Sequence, residues 1–250
     1  MRIHQIPALV LLFIVGACSA PVTRTELDSN LASAGATVGV LPVNVQQKIE
    51  ARVDDNPIGL AGTAGRLAVF KGEQTRQKRL NEALSEAEFD YQAEFAERLK
   101  QSLTRNRLNI KDIQFRRTID NVLGEVAPGR FERRPPKDQP ADFLLDVTVD
   151  VVGYIAESIT KDYLPTLHVG ARLLDADSLD VVYETRVEYN PLDAEDATIT
   201  LQADEAYTFK DTEAMAADSQ LTAKGLAAAM DAVLMQISSD LAALASTDVD

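Results

Sequence analysis

The chain has 250 residues, of which 46% are hydrophobic and 26% charged, and its formal net charge is -14. That balance excludes a collagen-like chain and a polytopic membrane protein, and a single cysteine excludes a disulfide-framework miniprotein. Two histidines and no tryptophan narrow the available chemistry further.

The N-terminus pairs one basic residue, Arg2, with an apolar run from Ile6 to Ala17. A spanning helix needs roughly 20 apolar residues, so this shorter run reads as a signal peptide. Val15-Gly16-Ala17-Cys18 resembles a bacterial lipobox: an aliphatic residue, two small residues, then the cysteine that is lipidated. The alternative is an ordinary secretory peptide in which Cys18 is incidental. The lipobox resemblance implies cleavage after Ala17, with a diacylglycerol and an N-acyl chain such as palmitate on Cys18. Ser19 in the next position implies the outer membrane, with the protein facing the periplasm. Each buried CH₂ contributes about 0.8 kcal/mol, so several acyl chains would anchor the protein stably. Residues 18–36 are small and polar and read as the lipidated tether.

Residues 37–45 form a short apolar, β-branched run and read as a strand, with Pro42 marking an end or an edge. Residues 46–58 are polar and read as a loop. Gly59, Gly62 and Gly65 are spaced three apart, which suggests a phosphate-cradling loop. The stretch has neither a GK[ST] nor a GxGxxG register after a strand, so a small-residue helix face or connector is the better reading. Residues 85–103 read as a helix: Ser85 to Glu88 forms a capping box, and Leu84, Ala87, Tyr91, Phe95, Leu99 and Leu103 form the stripe. Glu94 and Arg98 add an i,i+4 pair. Residues 111–140 are irregular, rich in proline and charge towards their end.

Three strands follow. Phe143, Leu145, Val147, Val149 and Val151 alternate with a mostly polar set. Val169, Ala171 and Leu173 alternate with His168, Gly170 and Arg172. Val181, Tyr183, Thr185, Val187 and Tyr189 alternate with Val182, Glu184, Arg186 and Glu188. The last two strands read as a hairpin through Asp175–Asp180. Residues 190–217 read as an acidic, loop-rich stretch. A closing helix over 218–244 carries the stripe Leu226, Met230, Val233, Ile237, Leu241, Leu244, with Asp218 and Ser219 as capping candidates. The sum is one α+β domain over 37–246: a mixed sheet with a β-hairpin and amphipathic helices packed on one face.

Charge is divided along the chain. Residues 66–137 carry a net charge of +5 and residues 138–250 a net charge of -18. Arg130, Arg133, Arg134 and Lys137 form a possible partner surface for lipid phosphates or an acidic protein. The alternative is that both segments are solvated faces. The acidic balance and the compartment argue against nucleic acid.

No catalytic constellation stands out. With Cys18 acylated there is no thiol nucleophile, and a Ser–His–Asp triad would have to use His168 without a GxSxG elbow. His168 shares a face with Arg172, opposite Val169, Ala171 and Leu173, and reads as a surface or edge residue. One histidine and no free cysteine cannot supply a zinc site. Asp142, Asp146 and Asp150 share one strand face, but each four-residue step sets them some 13 Å apart, so they read as a solvated face. Asp175, Asp177 and Asp180 lack the Gly and terminal Glu of a calcium loop and read as turn residues. No catalytic residue, no cofactor and no metal are expected.

Together these pieces resemble a known periplasmic domain. They are the lipobox at Cys18, the strand Val38-Gly39-Val40-Leu41-Pro42-Val43, the strand start Ala141-Asp142-Phe143-Leu144-Leu145, the hairpin Ala171–Asp175 to Val181–Glu184, and the terminal helix. They resemble the α/β domain of curli-secretion-type and penicillin-binding-protein-activator-type outer-membrane lipoproteins. The turn Asp177-Ser178-Leu179-Asp180 stands where that family has Thr-Gly, and Cys18 alone carries over as a functional residue. The anchor, the tether, the charge split and the absence of a catalytic constellation point to a lipid-anchored accessory or scaffold protein that binds another envelope protein and catalyses nothing. The alternative is a transport auxiliary carrying lipid or another apolar ligand between membranes. A carboxylate-dependent cell-wall hydrolase ranks third.

Overall fold

A computed structural model describes residues 36–45, 48–55, 62–114, 125–127, 130–131, 140–192 and 199–245. The signal segment, Cys18 and the tether lie outside the described residues.

The alternating segments after residue 142 build an antiparallel meander: β7 (Phe143–Ser158), β8 (Leu164–Asp175) and β9 (Val181–Tyr189). Along the free edge of β7 run β1 (Thr37–Val40), β2 (Asn44–Val45) and β3 (Glu50–Asp55) in succession, all parallel to it. Pro42 falls between β1 and β2, the strand end expected of it. β4 (Asn109–Asp112) pairs with β1, and β10 (Ile199–Leu201) pairs with β9, both parallel. A separate two-stranded ribbon joins β5 (Glu125–Ala127) and β6 (Arg130–Phe131). The result is a mixed eight-stranded sheet within one α+β domain.

β3 corrects the loop expected over residues 46–58. Its apolar signal is only Ala51 and Val53, both buried, which alternate with Glu50, Arg52 and Asp54. Pairing with the long β7 makes the strand, and Gly153 permits the approach. A Cβ there would lie 1.9 Å from the Glu50 carbonyl oxygen.

The register of β7 shifts between Val149 and Val151. An extra residue in a strand exchanges the two faces beyond it. Val149 is buried on the apolar face, but Val152, Tyr154 and Ala156 continue that face, not Val151. The expected single alternation from Phe143 to Val151 is therefore broken at Asp150.

Three long helices, α1 (Gly62–Glu86), α2 (Tyr91–Arg105) and α4 (Ser219–Ala245), supply apolar residues to the core, and α3 (Thr212–Ala217) leads into α4. The stretch 190–217, expected to be loop-rich, contains β10 and α3. Gly62 and Gly65 lie in the opening of α1, in line with the helical alternative for that stretch.

The helix expected over 85–103 is two helices. Ser85 belongs to the last turn of α1, not to a cap. Phe89 N–H bonds the Leu84 carbonyl at 2.9 Å and Glu88 N–H bonds the Ser85 carbonyl at 3.1 Å, with Glu88 at φ 54. That is a Schellman ending. Asp90 then caps α2, accepting from Gln92 and Ala93 N–H. α2 ends in the same way, with Arg107 at φ 61 and Leu108 N–H on the Leu103 carbonyl.

The stripe on α4 holds: Leu226, Met230, Val233, Ile237 and Leu241 are buried. Asp218 caps its start by accepting from Leu221 N–H at 3.0 Å. Among the described residues α4 alone is long and apolar enough to cross a membrane by length and composition. Here its apolar face packs on the sheet. Gly225 lets it come close: a Cβ there would be 2.1 Å from the Tyr154 hydroxyl oxygen. Tyr154 Oη donates to the Thr222 carbonyl at 3.0 Å, and burial pushes this phenol upward in pKa. Arg98 ties α2 to α4 by donating to Asp231 at 2.7 and 2.8 Å, and its Nε donates to the expected partner Glu94 at 3.0 Å.

Candidate functional site

Helices occupy one face of the sheet, so the polar half of the alternation in β7–β9 lies on the other. Strand register sets it out in rows. Asp146, Arg172 and Glu184 are cross-strand neighbours. Thr148, Gly170 and Arg186 form the next row. In the third, Val151 pairs His168, His168 pairs Glu188, and Asp150 sits in the bulge. Arg172 Nε donates to Glu184 Oε1 at 2.6 Å, and Arg186 Nε donates to Glu188 Oε1 at 2.8 Å.

The rows differ in depth. The Arg172 and Glu184 side chains are 37% and 32% exposed. His168 is only 4% exposed and Glu188 2%. The expectation that His168 is a surface or edge residue is overturned. It faces the Arg172 side of the strand as expected, but β8 is an interior strand and Glu188 lies beside it.

His168 Nε2 is 3.3 Å from the Asn190 carbonyl oxygen. A carbonyl only accepts, so this bond requires the proton on Nε2. Nδ1 then faces Glu188 Oε1, 3.8 Å away. Burial lowers the His168 pKa and outweighs the opposing pull of Glu188. The hydrogen bond of His168 runs to a backbone carbonyl, not to a hydroxyl that the ring could activate. Glu188 Oε2 is buried with no hydrogen-bond partner. Burial also raises the Asp150 carboxyl, outweighing the cations Arg186 and Arg172.

In front of Gly170 lies a cavity of about 280 Å³, lined by Asp146, Thr148, Asp150, Arg172, Glu184 and Arg186 among others. A Cβ on Gly170 would meet no atom within 4 Å. At one end of the same face Leu41, Ile113, Leu144, Leu174 and Leu179 form a small apolar cluster.

Asp146 and Asp150 thus share a face as expected, but Asp150 is partly buried and not simply solvated. Asp142 does a different job: its Oδ2 accepts from Thr37 N–H at 2.7 Å, tying β1 to the start of β7. Asp175 Oδ1 accepts from Asp177 and Ser178 N–H at 3.0 and 2.7 Å, the turn role expected of it. Arg130 lies in β6, while Arg133, Arg134, Lys137 and Cys18 lie outside the described residues. Among the described residues no group of three His, Cys, Asp or Glu side chains is arranged to hold a metal.

No family model matches the chain, and no curated protein matches it. Among solved structures it is similar to the PelC dodecamer from Paraburkholderia phytofirmans. The identity is 11% and the TM-score 0.38, over 88% of this chain and 94% of that one. A Xanthomonas campestris protein, XCC0632, of the DUF330 family is similar at 11% identity and TM-score 0.35, over 89% and 90%. Lipoprotein GNA1162 from Neisseria meningitidis is similar at 17% identity and TM-score 0.23, over 61% and 81%. Likenesses this low leave the functional argument with the chain's own residues.

Sequence reasoning missed Glu188 and Gly170. The signal for Gly170 was present: a glycine inside a strand pattern marks a bulge or a close approach by another group. For Glu188 nothing distinguished it from Glu184, since both fall on the polar phase of one strand.

Proposed function

We propose that the protein is a lipid-anchored accessory lipoprotein of the outer membrane, facing the periplasm, which binds another envelope protein and catalyses no reaction. One observation carries this reading. The sheet gives one face to helices and presents on the other a charged set of rows around an open cavity. The sequence Val15-Gly16-Ala17-Cys18 supports the anchor. The carrier alternative gains no support from the described sheet–helix layer, where Leu145, Val169, Leu226 and Val233 are fully buried against one another's elements.

The test is site-specific photo-crosslinking in cells that make the full-length protein. The crosslinker goes at Thr148 on the outer face, or at Met235, the exposed methionine on α4, as a control. The expected result is one envelope protein captured reproducibly from Thr148 and not from Met235. Cys18→Ala should release the protein in soluble form and lower that capture. Lipid captured without protein would move the assignment to a carrier.

A further inference from the structure

We propose that the space over Gly170 receives one cationic side chain, an arginine or a lysine, from the envelope partner. The proposal rests on the reading that the outer face binds a protein, and it names what that face recognises.

Four observations converge. The first is the vacancy itself. Glycine inside a central strand gives up both packing and conformational entropy, and it recurs where another group approaches closely. Gly170 has antiparallel neighbours on both sides, yet no atom lies within 4 Å of its Cβ position. The second is size. At about 280 Å³ the cavity lies just below the roughly 300–1,000 Å³ of small-molecule clefts and suits a single side chain.

The third is charge. The rows hold Asp146, Asp150, Glu184 and Glu188 against Arg172 and Arg186, and both guanidinium groups already donate to β9 carboxylates. Four carboxylates face two guanidinium groups, so the group that complements the charge of these rows is a cation. The fourth is Glu188. It is 2% exposed, its Oε2 lacks a hydrogen-bond partner, and its Oε1 holds Arg186, which lines the cavity. An unpaired carboxylate oxygen in a low-dielectric site is costly, and a nearby cation offsets that cost.

The test uses full-length protein in detergent micelles, with the imidazole resonances of His168 as reporter. Once the segment before Cys18 is cleaved, His168 is the one histidine in the protein, so its signals need no further assignment. The probe is N-acetyl-arginine amide, and its neutral isostere N-acetyl-citrulline amide is the reference. The expected result is a saturable shift of His168 with the arginine probe and no saturable shift with citrulline. Glu188→Gln should weaken that binding tenfold or more. Gly170→Val should abolish it without lowering the melting temperature, because the space is open. An equal response to citrulline, or full binding by Gly170→Val, would overturn the proposal. Crosslinking separates the two readings. A partner still captured from Thr148 in Gly170→Val cells overturns the cation slot and keeps the accessory role. No partner captured by the native protein removes the accessory role, whatever the probe does.

Discussion

The two faces of β7–β9 are made by alternate residues of the same strands, yet they obey different rules. On the inner face Leu145, Val147, Val169, Leu173 and Val187 are fully buried against helices. Burial there is neutral and complete, and each side chain contributes to stability in proportion to the area it hides. On the outer face, a strand spacing away, His168 and Glu188 are as buried as core residues but carry titratable groups. Beside them lies an open cavity where a side chain is missing. Stability concentrates on the first face. The second sets buried titratable groups beside an open space, an arrangement that adds less stability than apolar burial does.

The sharpest way to break this comparison is to truncate the inner face. Leu145 is fully buried, and Leu145→Ala should cost about 4 kcal/mol, the transfer loss plus a cavity that packed neighbours cannot fill. Urea unfolding with an unchanged slope would check it. Crowding the same face should cost somewhat less. Gly225→Ala drives a Cβ into the Tyr154 hydroxyl, which is hydrogen-bonded to the Thr222 carbonyl. α4 must shift or the tyrosine must leave its partner, at about 2–3 kcal/mol. Tyr154→Phe in the same background should recover part of that loss by removing the clashing oxygen. No recovery would mean that Tyr207, whose Cβ lies 2.9 Å from the new methyl, is the real obstacle.

The outer face should announce itself through pH. His168 has a lowered folded pKa, so the unfolded chain takes up a proton first as pH falls below 6.5. Stability should therefore drop as pH falls from about 7.5 through 6.5 and level off below the folded value. Asp150 acts oppositely and lower down. Its folded pKa is raised above 3.8, so the native state binds the proton first and acidification there adds stability. The measurement is the urea midpoint from pH 7.5 to 5.5, in the native chain and in His168→Gln. The native chain should lose stability over that range, and the variant should lose less. Equal losses would place the sensitivity elsewhere.

How much of this was legible in the sequence follows from the same contrast. The inner face was largely readable, because apolar residues at a period of 2 in β8 and β9 and at 3–4 spacing in α4 have few other uses. Val151 marks where that failed. A bulge without glycine or proline leaves no trace in composition, yet it moved Val151 across the sheet. β3 was hidden because Ala51 and Val53 are too few to stand out among charges, and the partner that makes them a strand is a hundred residues away. The start of the helix expected over 85–103 falls too early because Ser85–Glu88 satisfies a capping pattern that the chain uses as a helix end, with Asp90 as the true cap. His168 was placed on the correct face and at the wrong depth. Alternation reports direction, whereas depth depends on Glu188, Asn190 and the bulge, none of which is local to it.

The smallest expected effect divides the outer face itself. Arg172–Glu184 and Arg186–Glu188 have nearly equal lengths, 2.6 and 2.8 Å, but the first carboxylate is 32% exposed and the second 2%. If geometry governed the energy, double-mutant cycles to glutamine would give the two pairs similar couplings. If burial governs it, the Arg186–Glu188 coupling should be about 1.5–3 kcal/mol, the range for hydrogen bonds to charged groups. The exposed pair should give about 0.5 kcal/mol. Salt discriminates further. Raising ionic strength from about 0.1 M to 1 M shortens the screening length from roughly 10 to 3 Å. That should erase most of the Arg172–Glu184 coupling and leave Arg186–Glu188 nearly intact. Equal couplings would mean that Glu188 is wetter than its 2% exposure implies, and Glu188 would then have no need of a cation over Gly170.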